Sequence, residues 1–233
     1  MKNIAIILAR QGSKGIPLKN LAKVGGLSLL ARAIKAAKQS GIFYKVVVST
    51  DGDEIAQEAI KFGAIVVKRP AELASDKASS ISAMLHVIDE LGLKDGIATL
   101  LQPTSPLRTA THIKQAYDIF LQNECKSVIS VLVCKHHPFK SLIRVGDKLE
   151  AIREINMLEA PRQSLPVAYQ PNGAIYINYI DDLIKHKRFF IEPIEIYDMD
   201  ELSSVDIDSK DDLVYADKII KELENEEQYN SSC

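Results

Sequence analysis

Two short stretches of this chain put charged groups where they could handle a polyanion. The first, "ARQGSKGIPLKN" at residues 9–20, holds Arg10, Lys14 and Lys19 with Gly12, Gly15 and a proline, directly after the apolar run "IAIIL". Glycines let successive backbone N–H groups turn inward around an anion, while the cations supply charge. A triphosphate suits that equipment; a solvated basic turn is the plainer alternative. The second stretch, "VDIDS", sets Asp206 and Asp208 two residues apart. In extended chain both carboxylates then project from one face, and magnesium prefers one or two carboxylates plus substrate oxygens. Helix capping is the competing role, and Asp208 or Ser209 alone would satisfy it. There is no GxxxxGK[ST] and no GxGxxG after the first run, so a Walker-type ATPase and a dinucleotide dehydrogenase do not fit.

Composition narrows the remaining classes. The chain has 233 residues, 46% of them hydrophobic, enough for one good-sized domain or a domain with an attached lobe. The net charge of −2 gives no bulk reason to bind nucleic acid or an anionic membrane, so any phosphate affinity must be local. Apolar stretches such as "IAIIL" and "IATLL" are far too short to span a bilayer. The three cysteines, Cys125, Cys134 and Cys233, show no CxxC spacing, which argues against a disulfide framework or a zinc site. The N-terminal residues lack a signal-peptide cleavage pattern, so a reduced, cytoplasmic protein is expected. His136 and His137 have no ligand-type residue at metal spacing nearby and read as structural or lobe-contact residues.

The elements that must position these groups alternate in type. "NIAIILA", "KVVVST", "AIVVKR", "GIATLLQ" and "KSVISVLVC" read as buried strands, with amphipathic helices between them. Ser28 can cap "LLARAIKAAKQS", whose Leu30, Ala33, Ile34 and Ala37 share a face, and Gly41 stops it. "DGDEIAQEAIKFG", "SSISAMLHVIDELG" and "THIKQAYDIFLQN" are the other helices of this series. The pattern predicts an α/β fold: an open, mostly parallel sheet flanked by helices. The rhythm breaks between residues 135 and about 170, where prolines, charges and short apolar runs indicate an inserted lobe in a single domain spanning 1–233. Order returns with "NGAIYINYIDDLIKH" and "IEIYDM". A closing helix follows, with Leu213, Ala216, Ile219 and Ile220 as its buried stripe, and "EEQYNSSC" is expected to fray.

"LARQGSKGIPLKN" resembles the signature of the CMP-N-acylneuraminate (CMP-sialic acid) synthetase family. The resemblance continues through "STDGDEIAQEA", "RPAELASDKASS", "LLQPTSPLR", "HHPFK", "PRQSLP", "PNGAIYI", "FFI" and "DID", in the family's order and at about its spacing. It therefore covers nearly the whole chain. CMP-KDO synthetases share the fold and a related opening loop, but "HHPFK" and "PRQ" are closer to the sialic acid branch.

The resemblance implies a Rossmann-like nucleotide-diphospho-sugar transferase fold with a small inserted dimerisation lobe. It also implies a cytidylyltransferase that joins CTP to a free nine-carbon α-keto acid sugar and releases pyrophosphate, for surface polysaccharide biosynthesis. Carried over by position, Lys19, Arg10 and Asp208 are the catalytic residues. Ala9, Arg10, Gly12, Ser13, Lys14, Gly15, Lys19, Asn20, Arg69 and Ser80 form the nucleotide site. Gln102, Lys140, Arg162, Tyr176, Phe189 and Phe190 hold the sugar. Asp206 and Asp208 bind Mg2+ or another divalent cation. In the family the lobe brings its lysine and arginine to the neighbour's site, so a homodimer with shared active sites is expected. The segments "PRQSLPVAYQPNG" and "KHKRFFIEP" vary around the sugar pocket. A legionaminic acid acceptor therefore stays open beside N-acylneuraminate, with KDO and a non-catalytic nucleotide-sugar binding module as further alternatives.

Overall fold

The computed structural model describes residues 2–13 and 15–231. Lys14 and Cys233 lie outside the described residues. The chain begins with β1 (Asn3–Leu8), then a loop, β2 (Lys23–Val24), β3 (Leu27–Ser28) and α1 (Leu29–Ser40). There follow β4 (Lys45–Thr50), α2 (Asp53–Lys61), β5 (Ile65–Lys68), α3 (Ala71–Ala74), α4 (Ser80–Glu90), β6 (Ile97–Leu101), α5 (Ala110–Gln122) and β7 (Ser127–Val133). Beyond these come the hairpin β8 (Leu142–Val145) and β9 (Lys148–Ala151), then β10 (Tyr169–Tyr179), α6 (Ile180–His186), β11 (Ile194–Asp198) and α7 (Lys210–Ser231).

Seven strands form one sheet in the order β11-β7-β10-β6-β1-β4-β5. β10 runs antiparallel to both β6 and β7, and every other pairing in that sheet is parallel. The parallel strands are apolar on both sides because helices cover both faces. β6 "IATLL" is buried along its whole length. α1, α2 and α5 pack on one face with Ile34, Ile55 and Phe120, and α4 and α6 pack on the other with Met84, Ile88 and Leu183. β1 is followed by β4 on one side and has β6 on the other. The strand order thus reverses between β1 and β6, which opens a crevice at their carboxyl ends.

Local chemistry sets the helix boundaries. The Ser28 hydroxyl accepts from Ala31 N at 3.0 Å, and Gly41 closes α1 in the left-handed conformation at φ 69°. In α5 the Thr109 side chain accepts from His112 N while the His112 ring accepts from Thr109 N. α7 differs from the sequence reading: "EEQYNSSC" was expected to fray, yet the helix continues through Ser231. Ala216, Ile219 and Ile220 pack into the core, with Leu213 partly buried against them, as the sequence stripe predicts.

The segment between β7 and β10 holds the β8–β9 hairpin and short 3-10 turns at Pro138–Lys140, Ile155–Leu158 and Arg162–Ser164. Leu142, Ile143, Leu149, Ile152 and Ile155 are all exposed on it. His137 ties its base together: Nδ1 accepts from Phe139 N and Nε2 lies 2.8 Å from Pro166 O.

Candidate active site

The loop after β1 is anchored before it reaches open solvent. Ala9 is fully buried and its N–H donates to Ser49 O of β4 at 3.0 Å. Asn20 is buried and its Nδ2 donates to Arg10 O at 2.9 Å, tying the two ends of the loop together. Leu18 takes a left-handed backbone at φ 50°, a costly conformation for a residue with a side chain, and the 3-10 turn Lys19–Leu21 follows it. That bend presents Lys19 to the carboxyl edge of the sheet.

Nζ of Lys19 donates to Ile207 O at 2.7 Å and to Asp208 Oδ1 at 3.2 Å. The segment before α7 therefore closes over the opening loop. Gly15 makes this closure possible, because a Cβ there would stand 2.7 Å from Asp208 O. Gly12 has no such constraint: nothing lies within 4 Å of its would-be Cβ. The two glycines that the sequence groups as one phosphate-cupping device thus have different physical reasons.

Asp208 is released from capping duty. Asp212 Oδ2 accepts from Asp208 N at 3.0 Å, from Ser209 N at 2.7 Å and from Ser209 Oγ at 2.8 Å, while Asp212 N donates back to Ser209 Oγ. This reciprocal cap starts α7 and leaves the Asp208 carboxylate facing Lys19. Asp206 faces the same cleft. Protein packed around its carboxyl strips hydration and raises its pKa, and the charge of Asp208 raises it further. A hydrogen bond from Thr104 and the charge of Lys19 work in the opposite direction.

Arg10, Gly12, Ser13, Lys19, Asn20, Ser80, Gln102, Asp206 and Asp208 line one cleft of about 270 Å³. A second hollow of about 210 Å³ shares Leu8, Arg10 and Ser80 with it and reaches Arg69. Arg69 is buried at the end of β5, where Nε donates to Ser49 Oγ at 3.0 Å and Nη2 to Ser49 O at 2.8 Å. Burial lowers its pKa to about 10. Arg10 is held by Asp76 at 2.9 Å and by Ala74 O at 3.2 Å. Ser79, not Ser80, caps α4, so the Ser80 hydroxyl is not used as a cap.

The sugar-side residues divide into two groups. Gln102 lines the cleft, with Gly173 of β10 close behind it: a Cβ at Gly173 would meet Gln102 Oε1 at 2.7 Å. The Tyr176 ring lies 5.4 Å from Phe189 and 6.1 Å from Phe190. Burial raises the Tyr176 pKa and the Asp206 charge adds to the rise, but neither Tyr176 nor the two phenylalanines line the cleft itself. Lys140 and Arg162 do not line the cleft of their own chain. Nζ of Lys140 instead donates to Leu158 O at 3.0 Å, and Arg162 is exposed on the lobe.

Three contributors were not singled out from the sequence. Thr104 lines the cleft and its carbonyl accepts from Ile207 N at 2.9 Å, Asp76 pairs with Arg10, and Arg108 is buried with Nη1 donating to Gln102 O at 2.8 Å and Ala174 O at 3.1 Å. The signal for Arg108 was a lone cation closing the otherwise uncharged run "LLQPTSPLR". The carboxylates that could hold a divalent cation are Asp206 and Asp208. Among the described residues no group of three or more His, Cys, Asp or Glu side chains stands together for one. Two crowded carboxylates facing a phosphate-sized cleft fit a hard ion that completes its shell with substrate oxygens and water.

A cationic, glycine-bearing loop at a strand-order switch point, facing a carboxylate pair, places the chain among the open-sheet α/β enzymes. More narrowly, the chain belongs to the cytidylyltransferase family, whose sequence pattern matches residues 4–231; it is a nucleotidyltransferase. It is 35% identical to the post-translational flagellin modification protein B of Campylobacter coli, over 94% of this chain and 95% of that protein. It is also 35% identical to the N-acylneuraminate cytidylyltransferase of Streptococcus agalactiae over 98% of this chain, but spans only 57% of that longer protein. The CMP-N,N'-diacetyllegionaminic acid synthase of Legionella pneumophila is 35% identical over 95% of this chain and 97% of its own length. The solved structure of CMP:2-keto-3-deoxy-manno-octonic acid synthetase complexed with CTP has the same fold, with a TM-score of 0.71 at 16% identity, covering 95% of this chain and 99% of that one. Among the described residues no helix is long and apolar enough to cross a membrane.

Proposed function

We propose that the chain transfers CMP from CTP to the anomeric hydroxyl of a free nonulosonic acid of the N-acylneuraminate type. The sugar hydroxyl gives up its proton to solvent as its oxygen bonds to the α-phosphorus, the bond from that phosphorus to the bridging oxygen breaks, and pyrophosphate leaves. The observation that carries this reading is the meeting of Lys19 and Arg10 with Asp206 and Asp208 in a single cleft beside Gln102. Fixed cations at that edge neutralise the charge that builds on the departing pyrophosphate. A divalent cation held by Asp206 and Asp208 would supply Lewis-acid charge neutralisation there. Gln102 offers amide groups to the acceptor, and Tyr176 with Phe189 and Phe190 offers an apolar wall. The likeness to named cytidylyltransferases of nonulosonic acids supports the substrate class.

We further infer a homodimer in which Lys140 and Arg162 of one protomer serve the sugar site of its partner. The exposed apolar side chains on the lobe support this reading. A cytoplasmic location and a product destined for a surface glycan complete the proposal. Diacetyllegionaminate is the second acceptor to consider, because the relatives of nearly equal length include a synthase for it.

The deciding experiment measures pyrophosphate release from CTP with N-acetylneuraminate, diacetyllegionaminate, pseudaminate and KDO, and repeats the best pair with ATP and GTP. Turnover with CTP and one of the first two acids is expected. Equal turnover with ATP, or turnover with KDO alone, overturns the reading.

A further inference from the structure

The end of β6 and the middle of β10 meet at a buried cation. Their antiparallel ladder pairs Leu101 with Ile175, and Gln102 and Ala174 are the next residues on the two strands. There the guanidinium of Arg108 takes over from the backbone: Nη1 donates to Gln102 O at 2.8 Å and to Ala174 O at 3.1 Å. Arg108 is 4% exposed, and its Nε has no partner among the described residues. Burial strips its hydration and lowers its pKa to about 10. An apolar side chain of similar volume would fill this space without that cost, so packing alone does not account for an arginine. The turn that carries it is compact, with Ser105 N donating to Gln102 O and Arg108 N to Ser105 O. On the facing strand the register shifts between Pro171 and Tyr176. Inside that bulge Asn172 Oδ1 accepts from Ser130 Oγ at 2.6 Å and from Ala174 N at 3.1 Å. Gly173 sits between them at φ 81°, and a Cβ there would stand 2.7 Å from Gln102 Oε1.

We propose that Arg108 is a positioning residue that acts on the acceptor sugar through Gln102: it clamps the Gln102 main chain to β10, and Gly173 leaves the room in which the Gln102 amide lies. Of these residues only Gln102 lines the cleft. A glutamine side chain is long and free to rotate, and fixing it costs entropy. Arg108 settles where that side chain starts, and the bare backbone at Gly173 settles where its amide can rest. Ordering the amide before the sugar arrives removes part of the cost of binding. The two devices come from different segments and act on different ends of one residue. A defect in either should therefore appear against the acceptor and not against CTP. The inference rests on the reading of Gln102 as an acceptor contact, and its test separates the two.

Steady-state rates are measured on the full-length protein with CTP and N-acetylneuraminate, or diacetyllegionaminate if N-acetylneuraminate is not turned over, each substrate being varied at saturation of the other. Arg108→Met removes the charge and its donors, Arg108→Lys keeps a charged donor for the two carbonyls, Gly173→Ala crowds the amide from β10, and Gln102→Ala is the control. The expected result is about a tenfold higher KM for the acceptor in Arg108→Met, Gly173→Ala and Gln102→Ala, the size of one lost hydrogen bond, and a smaller rise in Arg108→Lys. The KM for CTP should stay within about twofold of wild type in all four. The decisive comparison sets Arg108→Met with Gln102→Ala against Gln102→Ala alone: the added substitution should cost the acceptor nothing more, because Arg108 acts through Gln102. Melting curves verify folding, and Gly173→Ala takes the place of Arg108→Met in the double variant if the latter unfolds. Losses that multiply in the double variant, or a KM for CTP that rises as much as that for the acceptor, overturn the positioning role. If Gln102→Ala raises the acceptor KM while the Arg108 and Gly173 variants leave it unchanged, the positioning role falls and the Gln102 contact stands. An unchanged acceptor KM in Gln102→Ala overturns both.

Discussion

Lys19 and Asp208, 189 residues apart in sequence, meet across the cleft at 3.2 Å. The same ammonium group is fixed from the other side by Ile207 O at 2.7 Å. The pair joins the first loop of the chain to the segment before its last helix, so the loop cation and the carboxylate pair are assembled as one unit. Both partners reach solvent to different degrees, Lys19 at 17% and Asp208 at 80% of side-chain accessibility, so the contact adds little to stability. Its consequence is placement.

Asp206→Asn and Asp208→Asn should each lower kcat by about 10²–10³-fold, the size of an electrostatic element aligned with the transition state. Activity should also be lost on chelation and return with added Mg2+. Steady-state rates on folded variants across a Mg2+ series provide the check. Near wild-type turnover in both variants would remove the carboxylate pair from the mechanism.

The two loop glycines should behave differently. Gly15→Ala pushes a methyl against Asp208 O, and a displacement of about 1 Å in a reacting site can cost on the order of 10²-fold in rate. Gly12→Ala meets no protein atom and should keep the wild-type Tm, any cost being confined to the KM for CTP in the cleft that Gly12 lines. Parallel kinetics and melting curves of the two variants test this, and equal defects would contradict the packing explanation.

Shared sites can be read by mixing defective subunits. Arg162→Ala and Lys19→Ala homodimers should each be nearly inactive, whereas a mixed dimer holds one site with both defects and one with neither. Activity should therefore reappear after subunit exchange. Mixed dimers verified by two affinity tags yet still inactive would mean that Arg162 serves its own protomer.

Acid should loosen the start of α7 through Asp212. Hydrogen bonds from the Ser209 backbone N–H and then its hydroxyl hold the Asp212 pKa below its ordinary value. A carboxyl lowered in the folded state contributes stability above its unfolded pKa of about 3.9 and loses it as pH falls toward the folded value. Asp212→Asn should thus narrow its deficit in Tm against wild type as pH drops below about 4. A deficit that is constant down to acid pH would show that the charge plays no part.

The alternating sheet-and-helix order was legible in the sequence because it depends on local pattern: flat apolar runs such as "IATLL", the Ser28 cap and the Gly41 stop each act within a few residues. The motif spacing also marked the charged residues of the cleft one by one. Their relations to one another were not legible, since they depend on which segments the sheet order brings together. Only the tertiary structure decided that Gly15 must be small because Asp208 lies against it, and that Ser209 with Asp212 caps α7 so that Asp208 is left to Lys19. It also decided that the Thr104 carbonyl takes Ile207 N and that the buried Arg108 holds Gln102 O and Ala174 O. Each of these contacts pairs residues whose distance along the chain carries no information about their distance in space. The physical reason is that a capping box or a buried strand is specified by neighbours, whereas a cleft is specified by how neighbours of different strands are stacked.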